Sequence, residues 1–395
     1  IPLLELSEVI HRYRLSVANE SDLSANYKRG LNISLISKIL FERLDCIKIA
    51  CKFINIGDYP ELIDNMICHR RSHGRVGAKS AGLFLAKHIL KRSDWHQNQY
   101  GIVKIPKSKY LPSDVLFHIL EYNNLSEIID QKYKDLHRID CEYPLIVQTL
   151  KRCSFPPDIL QRLAIALDDF EDKPLIVRSS SILEDCAKMP FKMKYDSVFV
   201  SNQGSKSRRL EALTTAIAEV YASTFNPDVL RFRRQNGLLD FIEEMGVLIQ
   251  EVVGNRIGEY FAPSFAGIAF SRNEYPWSPQ INREDGLLKI VPGLGTRALG
   301  KSMDDYPVLM APGQIGIHVN TSPEDIAKYS PNKIDAMNLK TDTVDTLEIK
   351  DLIRKYGDQY PAINDITSIY EDGKFHPADG LNIDFDKDNM AATFE

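Results

Sequence analysis

The stretch Lys173–Val200 reads KPLIVRSSSILEDCAKMPFKMKYDSVFV. Leu175, Ile176 and Val177 follow Pro174 as a short apolar run with the character of a buried strand. The run stops at Arg178 and three serines, so the spacing predicts a strand that ends at the arginine. A second β-rich run, Ser197–Val200, follows a loop loaded with Lys188, Lys192 and Lys194. A guanidinium at the end of a buried strand, facing a basic loop, suits phosphate, because its planar fork offers paired N–H donors. Ser181 and Glu184 also fit a capping box, which gives the serines a structural role. Arg178 has no such explanation, since an apolar strand has no need of a guanidinium.

The rest of the composition narrows the ligand. At 395 residues the chain is long enough for two or three domains. Its net charge is −5, so no global basic field attracts nucleic acid or an anionic membrane, and neither is an expected partner. Positive charge gathers locally, around 69–79 and 188–209. That pattern fits a small anion better than a polyanion. Six cysteines stand apart at Cys46, Cys51, Cys68, Cys141, Cys153 and Cys186, with no CxxC pair and no zinc-type spacing. They read as reduced thiols of a cytoplasmic protein. No apolar run approaches the roughly 20 residues that span a bilayer, and no signal peptide is expected. The first residue is Ile1, and the sequence reads as a piece of a longer chain.

Taken in order, residues 1–70 read as a helical arm. Leu3, Leu6, Val9 and Ile10 recur at helical spacing, as do Leu31, Ile33, Ile36, Ile39, Leu40 and Leu44, with Asn32 or Ser34 as the cap of the second helix. Then His73-Gly-Arg-Val-Gly77-Ala-Lys79-Ser80 leads into an apolar helical pattern. The spacing fails the P-loop pattern, because Ala78 stands where that motif has its second glycine. What remains is a glycine turn at a helix N-terminus with a lysine at its mouth, a place where backbone N–H groups and the helix dipole favour an anion. A plain loop-to-helix junction with a solvated lysine fits equally well.

Residues 101–106, GIVKIP, read as a strand, Leu116–Leu125 and Glu127–Leu136 as helices, and Pro157 opens another helix. The acidic run Asp168, Asp169, Glu171 and Asp172 reads as solvated surface. Residues 207–235 are helical with a break at Asn226-Pro227. Strands follow at 247–253, 266–270 and 287–291, each ending in polar or glycine-rich turns, and ligands collect at such ends in open α/β sheets. The pattern is weaker beyond Pro307, where a helix is expected from Glu348 to Tyr356 and loose packing from Ala378 onward. The whole is a mixed α/β (α+β) chain.

These stretches together resemble the nucleotide-binding domain of the phosphoenolpyruvate synthase and pyruvate phosphate dikinase family. Gly77-Ala-Lys79-Ser-Ala-Gly82 is similar to that family's first ATP contact, and Val177-Arg178-Ser179-Ser180 with Glu184-Asp185 to its VRSS-xx-ED signature. Asp196-Ser197-Val198-Phe199, Tyr221–Phe225, Val247–Val253, Gly267–Ser271 and Gly293-Leu-Gly295 resemble later elements in the same order. The resemblance implies an ATP-grasp-like fold with ATP between subdomains. A phosphoryl group would pass from ATP to a histidine on a separate domain, and from there to an acceptor substrate on another, both expected downstream. It divides the chain into a helical arm at 1–70, a first subdomain at 71–245, a second at 246–330 with the adenine hinge and glycine turns, and a polar C-terminal segment at 331–395. By the resemblance Lys79 and Arg178 grip phosphate as the catalytic pair, and Ser197 joins the nucleotide contacts. Gln250, Glu251 and Val253 meet adenine, and Arg272 and Arg297 are further phosphate candidates. The cofactors implied are ATP and Mg2+, the latter with ligands outside this chain, because no acidic strand or Gln-x-Arg element follows and Asp384 and Asp386 substitute poorly. Two departures stand out. Lys192-Met193 occupies the place of Ala-Gly, and Thr296 that of a glutamate. The alternatives are a non-catalytic nucleotide-binding or regulatory module, and a helical interaction protein whose glycine turns are structural.

Overall fold

The computed structural model describes residues 1–16, 24–93, 103–185, 195–299, 305–360, 366–377 and 389–394. The chain divides into two compact units, Ile1–Glu251 and Val252–Glu395.

The first unit is built on one sheet. Its strands are β1 (Ser108–Leu111), β2 (Leu175–Ser181), β3 (Ser197–Val200) and β4 (Met245–Glu251), in the order β1-β4-β2-β3 with every pairing antiparallel. Alternate residues of a strand face opposite sides, and each side of this sheet builds its own core. Leu175, Val177, Val200, Val247 and Ile249 pack with Ile159 and Leu163 of the helix Pro157–Phe170 and with Leu213 and Ile217 of the helix Lys206–Ala222. On the other side Tyr110 and Leu248 pack with Phe84 of the helix Ala78–Arg92 and with Leu3, Ile36, Ile39 and Ile63 of the N-terminal helices. Burying one such aliphatic side chain contributes about 1.5–3 kcal/mol.

Several local expectations need correction. Arg178 does not end its strand but lies in the middle of β2, and Ser179–Ser181 continue the ladder opposite Val247, Gly246 and Met245. Serine is a poor strand former in isolation, but each hydroxyl here has a partner from outside the strand. The strand expected at 101–106 is displaced to Ser108–Leu111. Pro106 has no N–H to give a ladder, so pairing begins beyond it (residues 101–102 lie outside the described ones). The second helix, Ala25–Ile39, is capped by Ser24, whose Oγ accepts from the Tyr27 amide at 3.3 Å. Asn32 is inside it and donates to the Ile54 carbonyl at 2.7 Å, and Ser34 bonds back to Gly30 at 3.0 Å. In place of a helix over 127–136 there is a 3-10 helix, Ser126–Tyr133, and then an α-helix, Leu136–Lys151, capped by Asp135.

The second unit carries β5 (Asn255–Ile257), β6 (Tyr260–Ala262), β7 (Phe265–Phe270), β8 (Leu287–Pro292), β9 (Val308–Met310), β10 (Lys333–Asn338), β11 (Thr343–Glu348), β12 (Thr367–Glu371), β13 (Lys374–Pro377) and β14 (Asn389–Ala392). They form three sheets, β11-β10-β6-β5, β7-β8-β9 and β13-β12-β14. The helix Ile349–Tyr356 lays Leu352 and Ile353 against Ile257, Ala262 and Ile334. The fold is thus α/β with antiparallel sheets throughout its strand ladders. That topology overturns one expectation. In an antiparallel pair the ends of successive strands point apart, and Phe270 pairs with Leu287 while Phe265 pairs with Pro292. Ser271–Asn273 and Gly293–Arg297 therefore leave opposite ends of their sheet. Among the described residues no helix is long and apolar enough to cross a membrane.

Candidate nucleotide site

The glycine turn is fastened from both sides. Asp114 accepts hydrogen bonds from the Ser72 hydroxyl and from the His73 and Gly74 amides at 2.6 and 3.0 Å. Arg75 is neutralised within the fold, its Nη1 lying 2.6 Å from Glu42 and 3.2 Å from Glu244. Gly77 has φ 79°, and a Cβ there would stand 1.6 Å from the Ser180 carbonyl oxygen. Only glycine meets both demands. The helix Ala78–Arg92 starts at once, with no acidic residue in its first turn. The Ser80 amide donates to Ser180 Oγ, which itself donates to the Val76 carbonyl, both at 3.0 Å. Lys79 Nζ lies 3.0 Å from Ser179 Oγ. The lysine and the arginine strand, a hundred residues apart in sequence, are thus joined by direct contact.

The register of the sheet arranges the remaining groups in rows, because residues directly opposite across a ladder share a face. One row runs Tyr110, Leu248, Arg178, Ser197, and the next runs Ser108, Gln250, Ile176, Phe199. The rows are about 7 Å apart along the strands. Arg178, Ser197 and Gln250 therefore share a face, the one that Leu248 turns toward the glycine-turn helix. Ser197 is exposed, whereas Arg178, Ile176, Phe199 and Gln250 are half-buried. Gln250 Nε2 donates to Ser108 Oγ at 3.1 Å. Ile176 and Phe199 are apolar and belong to neither core cluster of the first unit. They form an apolar pad beside the arginine. Sequence reasoning missed both, although the period-2 alternation of Leu175–Val177 and Val198–Val200 was the signal.

Other expected contacts are placed elsewhere. Burial pushes the Glu251 carboxyl up, but the Lys107 amide and the Lys173 ammonium hold it below the usual range. Those bonds measure 2.9 and 3.1 Å. The Glu251 amide is also engaged, donating to the Lys107 carbonyl at 3.0 Å. Val253 is exposed in the second unit, beyond β4. Arg272 is exposed just after β7. Arg297 is buried, with Nε 3.5 Å from Asp305 and Nη1 3.5 Å from Asp335. Asp335 also accepts from Thr296 at 2.5 Å and from Thr346 at 2.7 Å. Thr296, which replaces the family's glutamate, thus meets a carboxylate from β10. Sequence reasoning passed over Asp335 because its partners lie far away in the chain.

A cavity of about 720 Å³ in the first unit borders Ser108 and Tyr110, but neither Lys79 nor Arg178 lines it. Its lysines are matched internally, Lys87 and Lys91 to Glu61 and Lys109 to Asp169. Among the described residues no group of three or more His, Cys, Asp or Glu side chains is placed to hold a metal ion. Residues 186–194, with Lys188, Lys192 and Met193, and Asp384 and Asp386 lie outside the described residues, as do the side chains of Glu184 and Asp185.

The family of the pyruvate phosphate dikinase AMP/ATP-binding domain matches residues 73–374. The match opens at the first residue of the glycine turn and extends through both units. No curated protein matches the chain.

Proposed function

The chain belongs to the family of the pyruvate phosphate dikinase AMP/ATP-binding domain, and from that premise we propose that the β2–β3 part of the first sheet's face, where Ser197 is exposed and Arg178, Ile176 and Phe199 are half-buried, holds ATP. The observation that carries the reading is the pair of adjacent rows. Arg178 and Ser197 sit one row from Ile176, Phe199 and Gln250, and Lys79 reaches the same strand. Guanidinium and ammonium neutralise phosphate oxygens, and the guanidinium can take two at once. The apolar pad supports the purine, and Gln250 supplies an amide at its edge. The order of pad and cations sets the direction of the nucleotide, with phosphates toward Lys79.

In this reading the protein is an ATP-dependent phosphotransferase domain with an ATP-grasp-like arrangement, of the synthase or dikinase kind. It positions the terminal phosphoryl for transfer to a histidine on a separate domain, which passes it to an acceptor domain. Positioning and charge neutralisation are what such a transfer asks of the protein. Mg2+ would supply further neutralisation of the triphosphate, but the described residues offer no ligand set for it, and no step is assigned to it here.

Calorimetric titration with ATP tests the site. Arg178→Ala and Lys79→Ala should each weaken binding by about 10- to 100-fold, since a hydrogen bond to a charged group contributes about 1.5–3 kcal/mol. Unchanged affinity in both variants rejects the site. A second reading, a nucleotide-binding or regulatory module without transfer, is favoured by Arg297, which is held by Asp305 and Asp335 rather than presented to a ligand. Tight ATP binding with no transfer to an added phosphohistidine domain would select it.

A further inference from the structure

The two rows exist only while β2 and β3 keep their register, and one buried carboxylate sits where that register is decided. Ser181, the last residue of β2, donates its hydroxyl to Glu243 Oε1. The buried phenol of Tyr195, two residues before β3, faces the same Glu243 and Ser181. Glu243 therefore meets both ends of the segment that joins the two strands. It is itself held by Arg233, whose Nη1 lies 3.4 Å from Glu243 Oε2, the two side chains being 2% and 5% exposed. The guanidinium cannot turn away, because its Nη2 donates to the Leu238 and Phe241 carbonyls at 3.1 and 2.5 Å. Ser181 Oγ also accepts from the Leu183 amide at 3.0 Å, which fixes the exit of the chain from β2.

We propose that Glu243 is the positioning residue of this face: by holding Ser181 at the end of β2, with the buried Tyr195 close by, it keeps Arg178 opposite Ser197. The proposal rests on the reading of the face as a nucleotide site. A carboxylate suits this place, since an amide could accept from the guanidinium only by turning its N–H donors toward Ser181, whose hydroxyl would then lose the acceptor it now has. Glu243 need not touch the ligand. It acts through the strand pairing, as a closing pin acts on a clasp.

The test uses Glu243→Gln, with Arg233→Met/Glu243→Leu as the partner variant that removes both charges should the single variant fail to fold. Hydrogen exchange at the Val177 and Val198 amides should quicken at least tenfold in either variant, and ATP affinity should fall at least tenfold. Combined with Arg178→Ala, the loss of affinity should not add, because both changes disable the same contact. Unchanged exchange, or a fully additive loss, overturns the proposal. Failure of the unaltered chain to bind ATP would instead reject the proposed function, and the exchange measurement would still decide whether Glu243 sets the register.

Discussion

Arg178 and Arg297 stand in similar sequence settings, each near an apolar strand and a polar or glycine-rich stretch, yet the fold uses them in opposite ways. Arg178 is half-buried on a face shared with Ser197 and Gln250, and its neighbour Ser179 contacts Lys79. Arg297 is buried between Asp305 and Asp335. The first arrangement leaves a half-buried guanidinium beside the exposed Ser197. The second cancels its charge inside the protein. Whether an arginine near a polar or glycine-rich stretch is neutralised inside the fold thus depends on residues distant in sequence, as Asp305 and Asp335 show for Arg297.

The largest effect expected from this contrast is on stability. Arg297→Ala leaves two carboxylates buried without their cation, which costs about 3–5 kcal/mol, and denaturant unfolding should show it. A loss under about 1 kcal/mol would mean that the two arginines are not used differently after all. Next comes recognition of the base. Phe199→Ala should weaken ATP by roughly tenfold, as expected of a lost stacking surface worth about 1–3 kcal/mol, and leave inorganic triphosphate binding unchanged. Equal losses for both ligands would remove the apolar pad from the site. The smallest effect is a shared one. Lys134 and Arg138 hold the Glu142 carboxyl at about 2, and Lys340 and Lys355 hold that of Glu259 at about 2, one in each unit. Both folded values lie below the ordinary 4.5. Each pair therefore contributes stability that is present above about pH 4.5 and lost as pH falls toward 2. NMR titration of the two carboxyls should find both depressed, and a value near 4.5 for either would show that its ion pairs do not form in solution. Both groups are surface-exposed, so the effect on unfolding should be slight.

Much of the first unit was legible in sequence. The apolar run at Leu175–Val177, the glycine turn before the helix Ala78–Arg92 and the alternation in β3 each carry a local signal. So does the order of motifs that resembles the family. What was hidden depends on partners. Ser179–Ser181 look like a break because serine seldom extends a strand unaided, and their hydroxyls are satisfied by Lys79 and Val76 of the glycine turn and by Glu243. β1 was misplaced because GIVKIP is more apolar than Ser108–Leu111, although it is the latter that pairs with β4. The helix Leu136–Lys151 carries an apolar stripe, Ile139, Tyr143, Ile146, Val147 and Leu150, but holds Pro144 in its interior, which reads as a breaker in sequence. Arg297 could not be sorted from Arg178, since Asp305 and Asp335 lie on other elements. A site built from contacts tens to hundreds of residues apart shows its residue types in sequence but not their assignments.

Strand β4 has a consequence for how the chain comes into being. It lies between β1 and β2, and its alternate residues enter two different cores, Val247 and Ile249 one and Leu248 the other. Its partners begin at Ser108 and Leu175, so joining them closes long loops, the kind of contact that forms late. During synthesis the helices before Ser108 can form as they emerge, but neither core can be completed until Glu251 has left the ribosome. Until then the apolar faces of β1 and β2 await a strand that has not yet been made, and the nascent chain should be most open to chaperones and proteases in that interval.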